Sequence, residues 1–140
     1  MTNRLFTLLG VSLLATVFAI AQESRTIEVN VVYTGAGKVD ASHKIYVALW
    51  NSANMDAAPP AGVESLDSKT GIVTFKNVQV PAYVSTAYDP SGKWDAQSPP
   101  PSGSSVGMYS RKPPAPDPVD VAPGKTTRIK VTFNDSTKVP

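Results

Sequence analysis

The chain has 140 residues, with 13 lysines and arginines against 11 acidic residues, 13 prolines, one histidine and no cysteine. That length holds one domain, and the missing cysteine excludes disulfide frameworks, thiol nucleophiles, iron–sulfur clusters and cysteine-based zinc sites. His43 alone cannot build a polyhistidine metal site, and a formal charge of +2 is too small for the clustered basic face that nucleic acids require.

The N-terminal segment has the pattern of an export signal. Arg4 supplies a positive start, Leu5–Ile20 is an apolar run of 16 residues, and Ala19-Ile20-Ala21 places small residues where a signal peptidase needs them. The run falls short of the roughly 20 residues of a spanning helix. A signal-peptide helix over residues 1–21, cleaved after Ala21, is therefore expected, with no membrane span afterwards and a secreted or periplasmic mature chain. That mature chain is residues 22–140, and loss of Arg4 lowers its formal charge from +2 to +1. Without a disulfide, an exported domain of this size must rest on an ordinary hydrophobic core.

From Thr26 onward the apolar residues recur with period two. In Thr26–Thr34, Ile27, Val29, Val31 and Tyr33 share one face, and the Gly35-Ala36-Gly37-Lys38 stretch ends the strand. His43–Trp50 alternates in the same way, with Ile45, Val47 and Leu49 inward and Lys44, Tyr46, Ala48 and Trp50 outward. A loop rich in Asn, Ala and Pro leads to a short strand at Gly62–Leu66 and a turn at Ser68–Gly71. Strands at Ile72–Val78 and Tyr83–Asp89 follow.

The alternation then stops. Most of the prolines fall between Pro90 and Pro118, and proline lacks the ladder donor and fixes φ. A long loop over 90–118 is expected, with polyproline-like pieces at Pro99-Pro100-Pro101 and Pro113-Pro114. Val119–Val121 reads as a short strand. After the Ala122-Pro123-Gly124 turn, Thr127, Ile129, Val131 and Phe133 alternate with Arg128, Lys130 and Thr132. Seven short strands and no helical period predict a single all-β domain, a sandwich or small barrel.

The order of these pieces resembles the transthyretin-like (prealbumin-like) β-sandwich of carboxypeptidase regulatory-like and Cna-B-like domains. The matching segments are IEVNVV, IYVALW, Thr70–Phe75 with Asn77-Val78, Pro81-Ala82-Tyr83-Val84, and Ala122–Thr126 leading into the last strand. Ala82 stands where that family prefers glycine, and the 90–118 insertion has no counterpart. The resemblance implies a seven-stranded Greek-key sandwich and a non-enzymatic module. Its partner would be a protein or a glycan in the cell envelope or outside the cell.

Four constellations have both a chemical and a plain structural reading. Gly103-Ser104-Ser105-Val106-Gly107 has the G-x-S-x-G spacing, but prolines stand where the nucleophile elbow needs a strand and a helix. Gly124-Lys125-Thr126 ends like a phosphate loop yet precedes a strand, so it reads as a turn. Asp89, Ser91 and Asp95 could offer oxygens to calcium, the one cofactor the pattern admits. Lys93 in a middle ligand slot favours an Asp-Pro-Ser-Gly turn instead. Trp94, Tyr109, Tyr88 and Trp50 lie in or beside the long loop, or on an outward parity. They either pin the loop to the sheets, the preferred reading, or stack on a sugar or peptide ligand. No catalytic set is recognisable.

Overall fold

A computed structural model describes residues 23–140; the segment expected to be an export signal, with Ala19 and Ala21 of its expected cleavage site, lies outside the described residues. Seven strands form: β1 (Thr26–Tyr33), β2 (Ile45–Trp50), β3 (Gly62–Leu66), β4 (Thr70–Phe75), β5 (Tyr83–Tyr88), β6 (Ser105–Met108) and β7 (Thr126–Phe133). Among the described residues there is no helix. One sheet has the order β4-β1-β7 and the other β3-β2-β5-β6. The first and last strands pair in parallel, from Thr26↔Thr126 to Tyr33↔Phe133, while every other ladder is antiparallel.

The period-two pattern is what divides each strand between core and surface. Ile27, Val29, Val31 and Tyr33 of β1 are buried with Val73 and Phe75 of β4 and Ile129, Val131 and Phe133 of β7. From the other sheet, Ile45, Val47, Leu49, Val84 and Tyr88 join the same core. Tyr33 sits at its aromatic end, with ring centroids 4.9 Å from Tyr88 and 5.0 Å from Phe133.

Some of the expectations about strands need correction. Val119 and Val121 are buried, but Val119–Val121 is not a strand. Pro118 and Pro123 bracket it, and its anchors are single bonds, Val119 N–H to Ala82 O at 2.7 Å, Thr127 Oγ1 to Asp120 O at 2.8 Å and Arg25 Nε to Val121 O at 3.2 Å. The seventh strand is instead β6, inside the region expected to be loop. It occupies the proline-free gap between Pro101 and Pro113 and pairs with β5 from Ser85↔Met108 to Tyr88↔Ser105. Gly107 is required there, because a Cβ at that position would lie 2.5 Å from Phe133 Cβ. The strands expected at Ile72–Val78 and Tyr83–Asp89 end earlier, at Phe75 and Tyr88.

Candidate functional site

The polar groups with the most reactive chemistry are spent on holding loops. Asp135, just past β7, accepts hydrogen bonds from Tyr33 Oη (2.5 Å), Ser105 Oγ (2.7 Å) and the Ala36 amide (2.8 Å). The Tyr33 bond foremost, then those of Ser105 and Ala36, hold this carboxyl at a pKa of about 2. Burial, and next the Asp135 carboxylate, push the Tyr33 phenol up to about 12. Ser105, the serine of the G-x-S-x-G spacing, is 2% exposed on β6 and serves Asp135 rather than a base. His43 is engaged elsewhere, its Nδ1 2.9 Å from Asp40 Oδ1 in the turn before β2. That bond is the main reason the Asp40 pKa falls to about 2.

Of the three oxygen donors considered for calcium, the structure brings Asp89 and Ser91 together. Asp89, 6% exposed, accepts from the Ser91 amide (2.9 Å), Ser91 Oγ (2.6 Å) and the Trp94 amide (3.0 Å). Burial raises its pKa, but these donors outweigh burial and the net shift is downward. Asp95 is separate, its Oδ1 accepting from the Gln97 amide at 3.1 Å. The loop thus has the hydrogen bonding of the Asp-Pro-Ser-Gly turn, with the carboxylate of Asp89 at its centre. Among the described residues, no three His, Asp or Glu side chains are grouped to hold a metal.

The four aromatic candidates separate. Tyr88 is 2% exposed, faces the core and donates its hydroxyl to Lys38 O at 2.7 Å, so its expected place in a ligand surface is corrected. Tyr109 packs half-buried against the core. Trp50 and Trp94 do stand on one surface, the outer face of β3-β2-β5-β6. Trp50 Nε1 donates to Ser85 Oγ at 2.9 Å, which lays the indole across the sheet toward β5. Trp94 meets Tyr46 edge to face, with ring centroids 5.0 Å apart, and donates Nε1 to Ser98 O at 2.8 Å. This contact pins the long loop onto the sheet near Tyr46, some 13 Å along β2 from Trp50 by strand rise.

The registers show what the sequence pattern left unstated about that face. Val63 and Ser65 of β3, Tyr46, Ala48 and Trp50 of β2, Tyr83, Ser85 and Ala87 of β5, and Val106 and Met108 of β6 point the same way. None is charged. Tyr83, opposite Trp50, is a further aromatic that sequence reasoning passed over; its parity in the β5 alternation was the available signal. The outer face of the other sheet differs, carrying Glu28, Arg128 and Lys130, with Arg128 Nε 2.6 Å from Glu28 Oε2.

Two depressions lie away from this face. One of about 400 Å³ opens between β3 and β4 over Leu49 and Phe75, with Glu64 and Lys76 in its lining. A shallower one of about 760 Å³ runs along Val80, Pro81 and Pro118–Ala122. Neither lining holds a serine or a histidine. Comparison with protein-family models, with curated proteins and with solved structures returns no match.

Proposed function

We propose that the chain is an exported, non-enzymatic β-sandwich module that binds through the outer face of β3-β2-β5-β6. One contrast carries this reading. Asp40, Asp89 and Asp135, the histidine and the serine with nucleophile spacing are engaged in loop contacts, while one sheet face presents aromatic and small polar side chains without a charge. Interfaces are enriched in aromatic side chains and depleted of charge at their centres. The strand orders β4-β1-β7 and β3-β2-β5-β6, with the chain passing repeatedly between the two sheets, support a Greek-key arrangement of the carboxypeptidase regulatory-like kind. The partner is a protein in the cell envelope or outside the cell. Substituting Trp50→Ala and Tyr83→Ala together should abolish partner binding while leaving the melt within a few degrees. Retained binding overturns the assignment of the face. Cell fractionation tests export: active protein in the cytoplasm with residues 1–21 intact overturns that part.

A neutral saccharide is the second reading. Trp50 is laid across the sheet beside Ser85, and the loop brings Trp94 to Tyr46. Flat rings flanked by hydroxyls suit the apolar face and equatorial hydroxyls of a sugar. A thermal-shift panel of neutral oligosaccharides decides it; a hit must vanish in Trp94→Ala or Trp50→Ala. The same plate, with calcium and with EDTA, tests Asp89, Ser91 and Asp95. A ligand that binds the native state raises the melt by mass action.

A further inference from the structure

Four strands lie at sheet edges: β4 and β7 in one sheet, β3 and β6 in the other. Unpaired edges invite further pairing, and proteins guard them with charges, prolines, short strands or covering segments. β6 has four residues and carries the C-terminal tail along it, through Val106 N–H to Thr137 O and Val139 N–H to Ser104 O. β7 presents Arg128 and Lys130, and β3 presents Glu64. β4, Thr70-Gly71-Ile72-Val73-Thr74-Phe75, has neither charge nor proline. Its Ile72 is 64% exposed, the most exposed of the large hydrophobic residues described. Among the described residues, β1 is its one ladder partner.

The phase of the β1–β4 ladder shows what the free edge offers. Tyr33 N–H donates to Lys69 O at 2.8 Å, so Tyr33 and Lys69 are a hydrogen-bonded pair. Such pairs alternate along an antiparallel ladder. Gly71, Val73 and Phe75 therefore aim their backbone groups at β1, and Thr70, Ile72 and Thr74 aim theirs outward. Of these outward groups, Thr70 O already accepts Ser68 Oγ at 2.7 Å, which leaves its second lone pair.

We propose that β4 is the interface of a two-fold homodimer, pairing antiparallel with β4 of a second copy about Ile72. The occupant is a second copy because the edge complements itself. A two-fold axis normal to the sheet sets Ile72 opposite Ile72 and Thr70 opposite Thr74, all with outward backbone groups in hydrogen-bonded pairs. On the inner side it sets Gly71 opposite Val73. No charge meets a like charge along the strand, and just past its ends Lys76 falls opposite Ser68, between Asp67 and Lys69 of the second copy. Two three-stranded sheets become one six-stranded sheet, β7-β1-β4-β4-β1-β7, within the usual size range. This surface belongs to the other sheet from the proposed binding face, so the two proposals stand or fall separately.

Sedimentation velocity of the full chain over a concentration series should show a reversible dimer. Ile72→Lys, which sets two like charges opposite each other, should return it to monomer without changing its circular dichroism, and should remove any dependence of the melt on protein concentration. Because the chain has no cysteine, Ile72→Cys adds a single thiol per copy. Hydrogen-bonded partners have Cα atoms about 5.5 Å apart, within disulfide range. Mild oxidation should then link Ile72→Cys into a dimer and leave Thr74→Cys unlinked, its thiols being about 13 Å apart by strand rise. A monomer at every concentration, a dimer that survives Ile72→Lys, or equal linking of both thiol variants overturns the proposal. If Ile72→Lys fails to fold, the two thiol variants decide.

Discussion

The Tyr33 hydroxyl and the Asp135 carboxylate, 102 positions apart in the chain, meet at 2.5 Å beside the aromatic end of the core. Around that contact Asp135 also receives Ser105 of β6 and the amide of Ala36 in the loop after β1. One carboxylate therefore joins the ends of both sheets and the chain leading to the C-terminal tail. Hydrogen bonds to a charged acceptor contribute about 1.5–3 kcal/mol each, less where water competes.

Asp135→Asn should lower the unfolding free energy by about 2 kcal/mol, since it removes the charge and turns one acceptor into a donor. Urea denaturation measures this. Tyr33→Phe should cost about 1 kcal/mol, and the double variant less than the sum, because both remove the same contact. Strict additivity would show that the two side chains do not act together.

The folded Asp135 and Asp40 titrate near pH 2, below the ordinary 3.8. A depressed folded pKa means stability that is complete above the unfolded value and is lost as pH falls through the folded one. The urea midpoint should hold steady from neutral pH to about pH 5 and then decline between about pH 4 and 2. Asp135→Asn should flatten part of that decline. At the alkaline end, Tyr33 ionises near 12 against an ordinary 10.0, so its contribution is complete below pH 10 and disappears as pH rises through 12. Absorbance at 295 nm should show a late-titrating tyrosine that Tyr33→Phe removes.

Thr86 faces the core from β5 at 1% exposure, and among the described residues its Oγ1 has no hydrogen-bond partner. An unpaired buried hydroxyl costs about 1–3 kcal/mol. Thr86→Val keeps the shape and removes the group, so it should be neutral or stabilise by about 1 kcal/mol. Gly107→Ala, across the ladder, should destabilise by about 1–3 kcal/mol through overpacking against Phe133. Thermal melts of the two variants should move in opposite directions or, for Thr86→Val, not at all.

Asp89→Ala should release the Ser91 and Trp94 amides and loosen the turn that carries Trp94 to Tyr46. In a Trp50→Phe background, Trp94 emission should move to longer wavelength and become more accessible to quencher. Unchanged emission would mean that the Tyr46 contact alone holds the loop.

Much of the architecture was legible in the chain because a strand half in water must alternate. Ile27 to Tyr33, Ile45 to Leu49 and Thr127 to Phe133 announce their buried faces at a spacing that no helix shares. β6 was hidden for a physical reason. Four residues with a glycine among them, between proline clusters, have too little pattern to register, and the strand is held by β5 on one side and the C-terminal tail on the other. Val119–Val121 failed in the reverse sense, since apolar residues beside prolines are buried by packing without any ladder.

The site was legible only in part. Trp50 and Trp94 were singled out from position, but Tyr88 shares their composition and is a core residue; only its opposite parity on β5 separates it from Tyr83. By itself the sequence determined a cysteine-free all-β chain with a hydrophobic face on most of its strands, because period and composition are local properties. The tertiary structure decided which outer face lacks charge, which strand edge stands open, and that Asp135 meets Tyr33. Those depend on register and on contacts between residues as much as 102 positions apart, where local pattern carries no information.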